Sequence, residues 1–175
     1  ADSDFTMTYS GKIQGENSIN MHVSGGELDY NGTASVKSLY IMREATLKGT
    51  GSYELGTQNN RGYFYNDGTF DLGEGISTIS IKGNYLQTGG NLLVDFNTNN
   101  ESDKLNITEG SATLNGKITL TPQVDYYYNG QKITISVIGV ENNYTITNQA
   151  SAVLNNISPV LKFEVNESES KNAST

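Results

Sequence analysis

Cysteine is absent from the 175-residue chain, which excludes disulfides, zinc–thiolate sites and thiol nucleophiles together. An extracellular domain without disulfides must draw its stability from a long hydrogen-bonded ladder over a continuous core, and a cysteine-free composition is compatible with secretion through membranes in an unfolded state. Proline occurs twice, at Pro122 and Pro159, both near the ends of apolar runs, where a missing N–H does least harm to a ladder. Histidine occurs once and arginine only at Arg43 and Arg61. Charged residues make up 17% of the chain, with a net charge of −8 and a pI near 4.5. Such a surface repels nucleic-acid phosphates and offers no basic stripe to an anionic membrane, so nucleic acid is not an expected partner. Apolar residues are 35% and the mean hydropathy is −0.47. No apolar run approaches the roughly 18 residues of a membrane helix. No charged-then-apolar signal segment opens the chain; residues 1–4 read as the start of an excised fragment, with export signals expected outside it.

What is present is alternation. Ile19, Met21 and Val23 alternate with polar neighbours, as do Ile79 and Ile81, then Leu92, Val94 and Phe96, then Leu105 and Ile107. Leu114, Ile118 and Leu120 continue the pattern, followed by Ile133, Ile135 and Val137. β-Branched and aromatic residues fill these runs, as a pleated surface favours. The only helix-like stretch, 38–48, is read as strand. Asn-Gly at Asn31, Asn115 and Asn129 and Asp-Gly at Asp67 suit positive φ, in hairpins and in tight corners alike. From the N-terminus to about Lys82, strand-like runs recur about every 8 residues, with a looser echo at roughly 20–25 residues, the length of a solenoid coil. After Gly110 the runs lengthen, and a hairpin-rich cap over the open end is expected there. From Glu164 the chain turns polar and acidic and reads as a solvated tail.

Chemistry finds few candidates. His22 points outward if Met21 and Val23 point in, and no nucleophile or orienting partner accompanies it. No G-x-S-x-G elbow is present. Residues 95–103 place oxygen side chains at every second position, like the first half of a calcium loop. Asn100 stands where that loop needs glycine and Asn106 where it needs its closing glutamate, so a solvated turn is the better reading. Asp67, Asp71, Glu74 and Asp95 could supply a carboxylate pair for cleaving polysaccharide, although two arginines equip the chain poorly for an anionic sugar. Tyr126, Tyr127 and Tyr128 could stack on a sugar or a partner; alternation buries one or two of them and exposes at least one. No catalytic residue, metal or cofactor is expected.

Two stretches resemble a known family. Residues 66–81 read Asn-Asp-Gly-Thr-Phe-Asp-Leu-Gly-Glu-Gly-Ile-Ser-Thr-Ile-Ser-Ile. This is similar to the autotransporter passenger pattern N-x-G-x-[IV]-x-P-G-x-S-x-G-T-[IL]-x-[IV], keeping Asn66, Gly68, Gly73, Thr78, Ile79 and Ile81. Residues 83–118 hold Gly83, Tyr85 and Gln87, then Gly90, Leu92, Val94 and Asp95. They continue with Ser102, Asp103, Leu105 and Ile107, and end with Ala112, Leu114, Gly116 and Ile118. These resemble, in order, the G-x-Y-x-Q, G-x-L-x-V-[DE], [AS]-D-x-L-x-V and A-x-L-x-G-x-[LIV] anchors of the autochaperone segment in pertactin-like passengers. Residues 158–161, Ser-Pro-Val-Leu, resemble the S-P-x-L ahead of the family's membrane barrel.

The resemblance implies an all-β chain: a right-handed parallel β-helix with a C-terminal β-hairpin cap. Residues 1–82 would be rungs, 83–163 the autochaperone-like capping segment and 164–175 a polar linker. It implies a non-catalytic stem on the bacterial cell surface or secreted, whose partners are its own passenger rungs and a translocator barrel. Tyr85, Leu92, Val94, Leu105, Ile107, Leu114 and Ile118 are the expected folding and capping core. The rival readings are an adhesin-type surface for host cells, glycans or self-association, which an exposed aromatic or Asn/Thr ladder would mark, and a polysaccharide-active enzyme.

Overall fold

Every regular element among the described residues is a strand, because short alternating runs between Gly, Asn and Asp corners are stable only when they pair. The structure, a computed structural model, describes residues 5–15, 18–128, 130–141 and 144–155, and among these no helix occurs. The chain runs through β1 (Thr6–Tyr9), β2 (Lys12–Gln14), β3 (Asn20–Val23), β4 (Gly26–Tyr30), β5 (Thr33–Val36) and β6 (Ser38–Ile41). Next come β7 (Ala45–Lys48), β8 (Ser52–Thr57), β9 (Asn60–Arg61), β10 (Tyr63–Asn66), β11 (Thr69–Asp71) and β12 (Thr78–Lys82). The last are β13 (Asn84–Gln87), β14 (Asn91–Phe96), β15 (Lys104–Thr108), β16 (Ala112–Pro122), β17 (Ile138–Val140) and β18 (Ile146–Leu154). The 38–48 stretch is strand as expected, split into β6 and β7 by a turn in which Glu44 takes φ 69°.

The strands form one eleven-stranded and one seven-stranded sheet, and nearly all pairing is parallel. In the larger sheet Thr6 stands opposite Glu27, Glu27 opposite Thr46, Thr46 opposite Thr69 and Thr69 opposite Asn91. Asn91 then faces Lys117, and Lys117 faces Ser151. Cross-strand ties span the same separations, 19 residues from Thr50 to Asn31, 26 from Ser77 to Asp103 and 34 from Thr145 to Ser111. The solenoid-length echo in the sequence is therefore real, and it lengthens toward the C-terminal end. β16 is shared: its first residues pair with β13 and its later ones with β14, so the larger sheet curls back on itself. Residues from both sheets meet in a single core, from Val23 through Tyr53, Phe64, Ile81 and Leu105 to Ala150.

The hairpins expected after Gly110 are not what the described residues form. Asn115 and Gly116 lie inside β16, which pairs with β18 in parallel throughout. Gly116 takes φ 120°, and a Cβ there would sit 2.6 Å from the Gly90 carbonyl oxygen. Asn-Gly here sits within one strand, over the Gly89–Gly90 connection, where β16 passes from pairing with β13 to pairing with β14. The positive φ of the glycine allows this geometry. Among the described residues the antiparallel pairings are β8 with β9 and the Phe96–Ser102 bridge. Residues 133–137, expected as strand, carry no ladder; the paired strand β17 begins at Ile138. The Asn129 turn, the 158–161 motif and the 164–175 tail lie wholly or partly outside the described residues.

Candidate functional site

The register sets the core residues in columns, one per coil-length step. Met7, Leu28, Leu47, Phe70, Leu92 and Ile118 follow one another across the larger sheet. Ile81 sits between Tyr53 and Ile107 in the smaller one, and Tyr85 between Phe64 and Ala112. All seven expected core residues, Tyr85, Leu92, Val94, Leu105, Ile107, Leu114 and Ile118, are buried in the common core. Period-2 alternation put them on one face, and the parallel register stacks six of them on an apolar residue of a neighbouring strand, while Leu114 stands between Gln87 and Asn148.

Polar groups inside the core tie successive strands together. Asn66 Nδ2 donates to Tyr85 Oη at 3.2 Å and to the Asn91 carbonyl at 3.1 Å. Tyr85 Oη donates to Gln87 Oε1 at 2.9 Å, and Gln87 Nε2 donates to the carbonyls of Gly90 at 2.9 Å and Lys117 at 2.8 Å. Four strands, β10, β13, β14 and β16, are thus bridged by three side chains that are wholly buried. Burial pushes the Tyr85 phenol well above its ordinary value, so it stays a neutral donor. Asp103 is also buried; its carboxylate accepts from Ser77 N at 2.8 Å and Asp95 N at 2.7 Å. The burial of Asn66, Gln87 and Asp103 was not anticipated. Their signal was positional, since all three are anchors of the patterns that residues 66–118 resemble.

Asp103 brings a pH dependence. Burial raises its carboxyl to about 6, against the pull of the N–H bonds from Asp95 and Ser77. Asp71 and Asp95 are raised too, first by burial; Glu74 and Asp29 add repulsion at Asp71, as Asp71 does at Asp95. A native chain that holds these protons to higher pH than the unfolded chain is most stable below the unfolded carboxylate value, near 4, and loses that stability as pH rises through 6. The urea unfolding free energy is expected to fall by roughly 1–3 kcal/mol between pH 4.5 and 7. Asp103→Asn should remove most of the slope. Urea titrations across that range check this; a free energy that is flat or climbs with pH contradicts it.

The remaining candidates fall apart or change character. Asp67 pairs with Arg43 at 3.9 Å on the surface. Glu74 reaches Lys48 at 3.4 Å, and Asp71, Glu74 and Asp95 are neighbours of that lysine, close enough for Glu74 to repel Asp71 and Asp71 to repel Asp95. In the 95–103 stretch, Asn97 Oδ1 accepts from the Asn99 and Glu101 backbone N–H groups and Asn97 Nδ2 donates to Glu101 Oε2 at 2.6 Å. With Asp103 turned inward, this is a turn bonded to itself. No group of three or more His, Asp or Glu among the described residues is placed to hold a metal ion. His22 is exposed, as alternation required, and stacks on Tyr40 at 4.6 Å and 6°; Tyr40 stacks on Tyr65 at 4.6 Å and 10°. This outward aromatic ladder follows from the register His22–Tyr40–Tyr65. On the smaller sheet, Lys82 lies 3.0 Å from Glu54 and 3.4 Å from Glu109, both of which also pair with Arg61. Of the three adjacent tyrosines, Tyr127 is half-buried while Tyr126 and Tyr128 are exposed. The chain matches no protein-family model, no curated protein and no solved structure.

Proposed function

We propose that this chain is the non-catalytic C-terminal stem of a secreted bacterial autotransporter passenger, a right-handed parallel β-helix whose folding seeds the rungs that stack on it. One observation carries the reading. Among the described residues β1, β2 and β3 are edge strands of the two sheets, and no described strand continues the inward columns there. Met7 is 49% exposed where Leu47, in its column, is fully buried. Ile13 and Met21 head the columns of Ala34 and Leu39 and are only half-buried. Unpaired N–H and C=O rows above apolar columns are a template for a further parallel coil. The passenger-like order of anchors through residues 66–118 supports this reading, in which the stem's partners are its own preceding rungs and a translocator barrel at the cell surface.

The test is surface display of the parent precursor carrying Ile13→Asp and Met21→Asp. Because both side chains pack on the core while half in solvent, the isolated chain should lose about 1.5–3 kcal/mol for the pair, half of what two fully buried side chains would cost. The displayed passenger upstream of it should become protease-sensitive. Full resistance of that upstream region in the variant means the open end templates nothing. A second reading, a binding surface, is favoured by the exposed aromatic groups of the described residues.

A further inference from the structure

The segment from β16 to β17 carries the three most exposed large apolar side chains of the described residues: Val124 at 101%, Tyr126 at 96% and Tyr128 at 70%. The backbone beneath them is braced. Asp125 Oδ2 accepts from Thr98 N at 3.3 Å and from the Thr98 hydroxyl. Tyr127 Oη donates to the Gln123 carbonyl at 3.0 Å, and its ring packs edge-on against Phe96 at 6.4 Å. Gln131 Oε1 accepts from Tyr128 N at 3.3 Å, and Gln131 Nε2 donates to the Thr98 carbonyl at 3.4 Å. Thr134 N donates to Asn100 Oδ1 at 2.9 Å. These ties join residues 123–128 and 131–134 to the 97–102 turn, so the exposed tyrosines stand on a braced support.

We infer that Tyr126 and Tyr128 form a binding platform for a neutral pyranose chain. This rests on the binding-surface reading and is independent of the folding role. Neither ring has an aromatic contact among the described residues, so their faces are open to the C–H face of a sugar, and phenol hydroxyls can bond sugar hydroxyls. Their Cα atoms are at most about 7 Å apart along the chain, within the span of a disaccharide. Area argues against a protein partner: two tyrosines bury about 300–500 Å², well short of the roughly 800 Å² per partner of a stable protein interface. Charge argues for a neutral ligand, since Glu101 and Asp125 outnumber Lys132 on the two tied segments and disfavour acidic sugars. Bracing reduces the ordering cost of binding.

The experiment uses the full chain and titrates cellohexaose, maltohexaose and chitohexaose, with hyaluronan as the acidic control, by calorimetry and tyrosine fluorescence. Saturable binding of at least one neutral oligosaccharide is expected, with a Kd up to about 1 mM. Tyr126→Ala/Tyr128→Ala should weaken it at least tenfold with an unchanged melting curve. Asp125→Ala, which removes a brace and no ring, should weaken it by about threefold to tenfold. No saturable binding of any neutral oligosaccharide at about 10 mM, binding indifferent to the double substitution, or preference for hyaluronan each overturns the inference. So does tyrosine-dependent self-association in sedimentation without sugar binding. A folding defect in displayed passenger leaves all these readouts untouched, so the two proposals fail separately.

Discussion

Replacing Leu105 or Leu114 with aspartate is expected to unfold the chain at neutral pH. Both side chains are fully buried. Leu105 stacks between Ile79 and Ile138, and Leu114 between Gln87 and Asn148. Losing a buried leucine costs about 1.5–3 kcal/mol, and an unpaired charge in the same place adds several more. The sum is comparable with the whole stability of an ordinary domain, about 5–15 kcal/mol. Asn106→Asp, one residue along β15 and on its outer face, should change stability by no more than about 0.5 kcal/mol. Urea unfolding followed by circular dichroism distinguishes the two positions. Equal effects at Leu105 and Asn106 would mean that β15 does not present alternate residues to a shared core.

The second large effect is expected at Gln87. Gln87→Leu conserves bulk but leaves the carbonyls of Gly90 and Lys117 and the Tyr85 hydroxyl without their partner, each at about 1–3 kcal/mol. A loss of roughly 3–5 kcal/mol follows. Tyr85→Phe alone should cost about 1–2 kcal/mol, because Asn66 keeps its bond to the Asn91 carbonyl. In the double variant the tyrosine substitution should cost about 1 kcal/mol less than it does alone, since its hydroxyl has already lost Gln87. Strict additivity in the double-mutant cycle would show that the Tyr85 phenol and the Gln87 amide act independently rather than as one tie.

These two sites show how differently core residues announce themselves. Leu105, Ile107, Leu92 and Val94 could be placed inside from alternation, because a strand sends every second side chain to one face whatever it pairs with. Gln87, Asn66 and Asp103 look like surface residues in composition. Their burial depends on carbonyls and N–H groups brought beside them by other strands, such as the Lys117 carbonyl, 30 residues away in the chain. The aromatic ladder was hidden for the same reason: His22, Tyr40 and Tyr65 stack only because β3, β6 and β10 pair in that register.

The sequence by itself determined the all-β class and the inward residues from Ile79 to Ile118, since these follow from local sterics and a two-residue period. The same alternation at Ile19 and at 133–137 did not make a buried strand face. Tertiary structure alone decided whether Asn115–Gly116 turned a hairpin or lay within one strand. It also decided which polar side chains went inside and where the apolar columns were left open. Each of those outcomes depends on the partner strand, and a partner that stands 19 to 34 residues away leaves no mark in the local pattern.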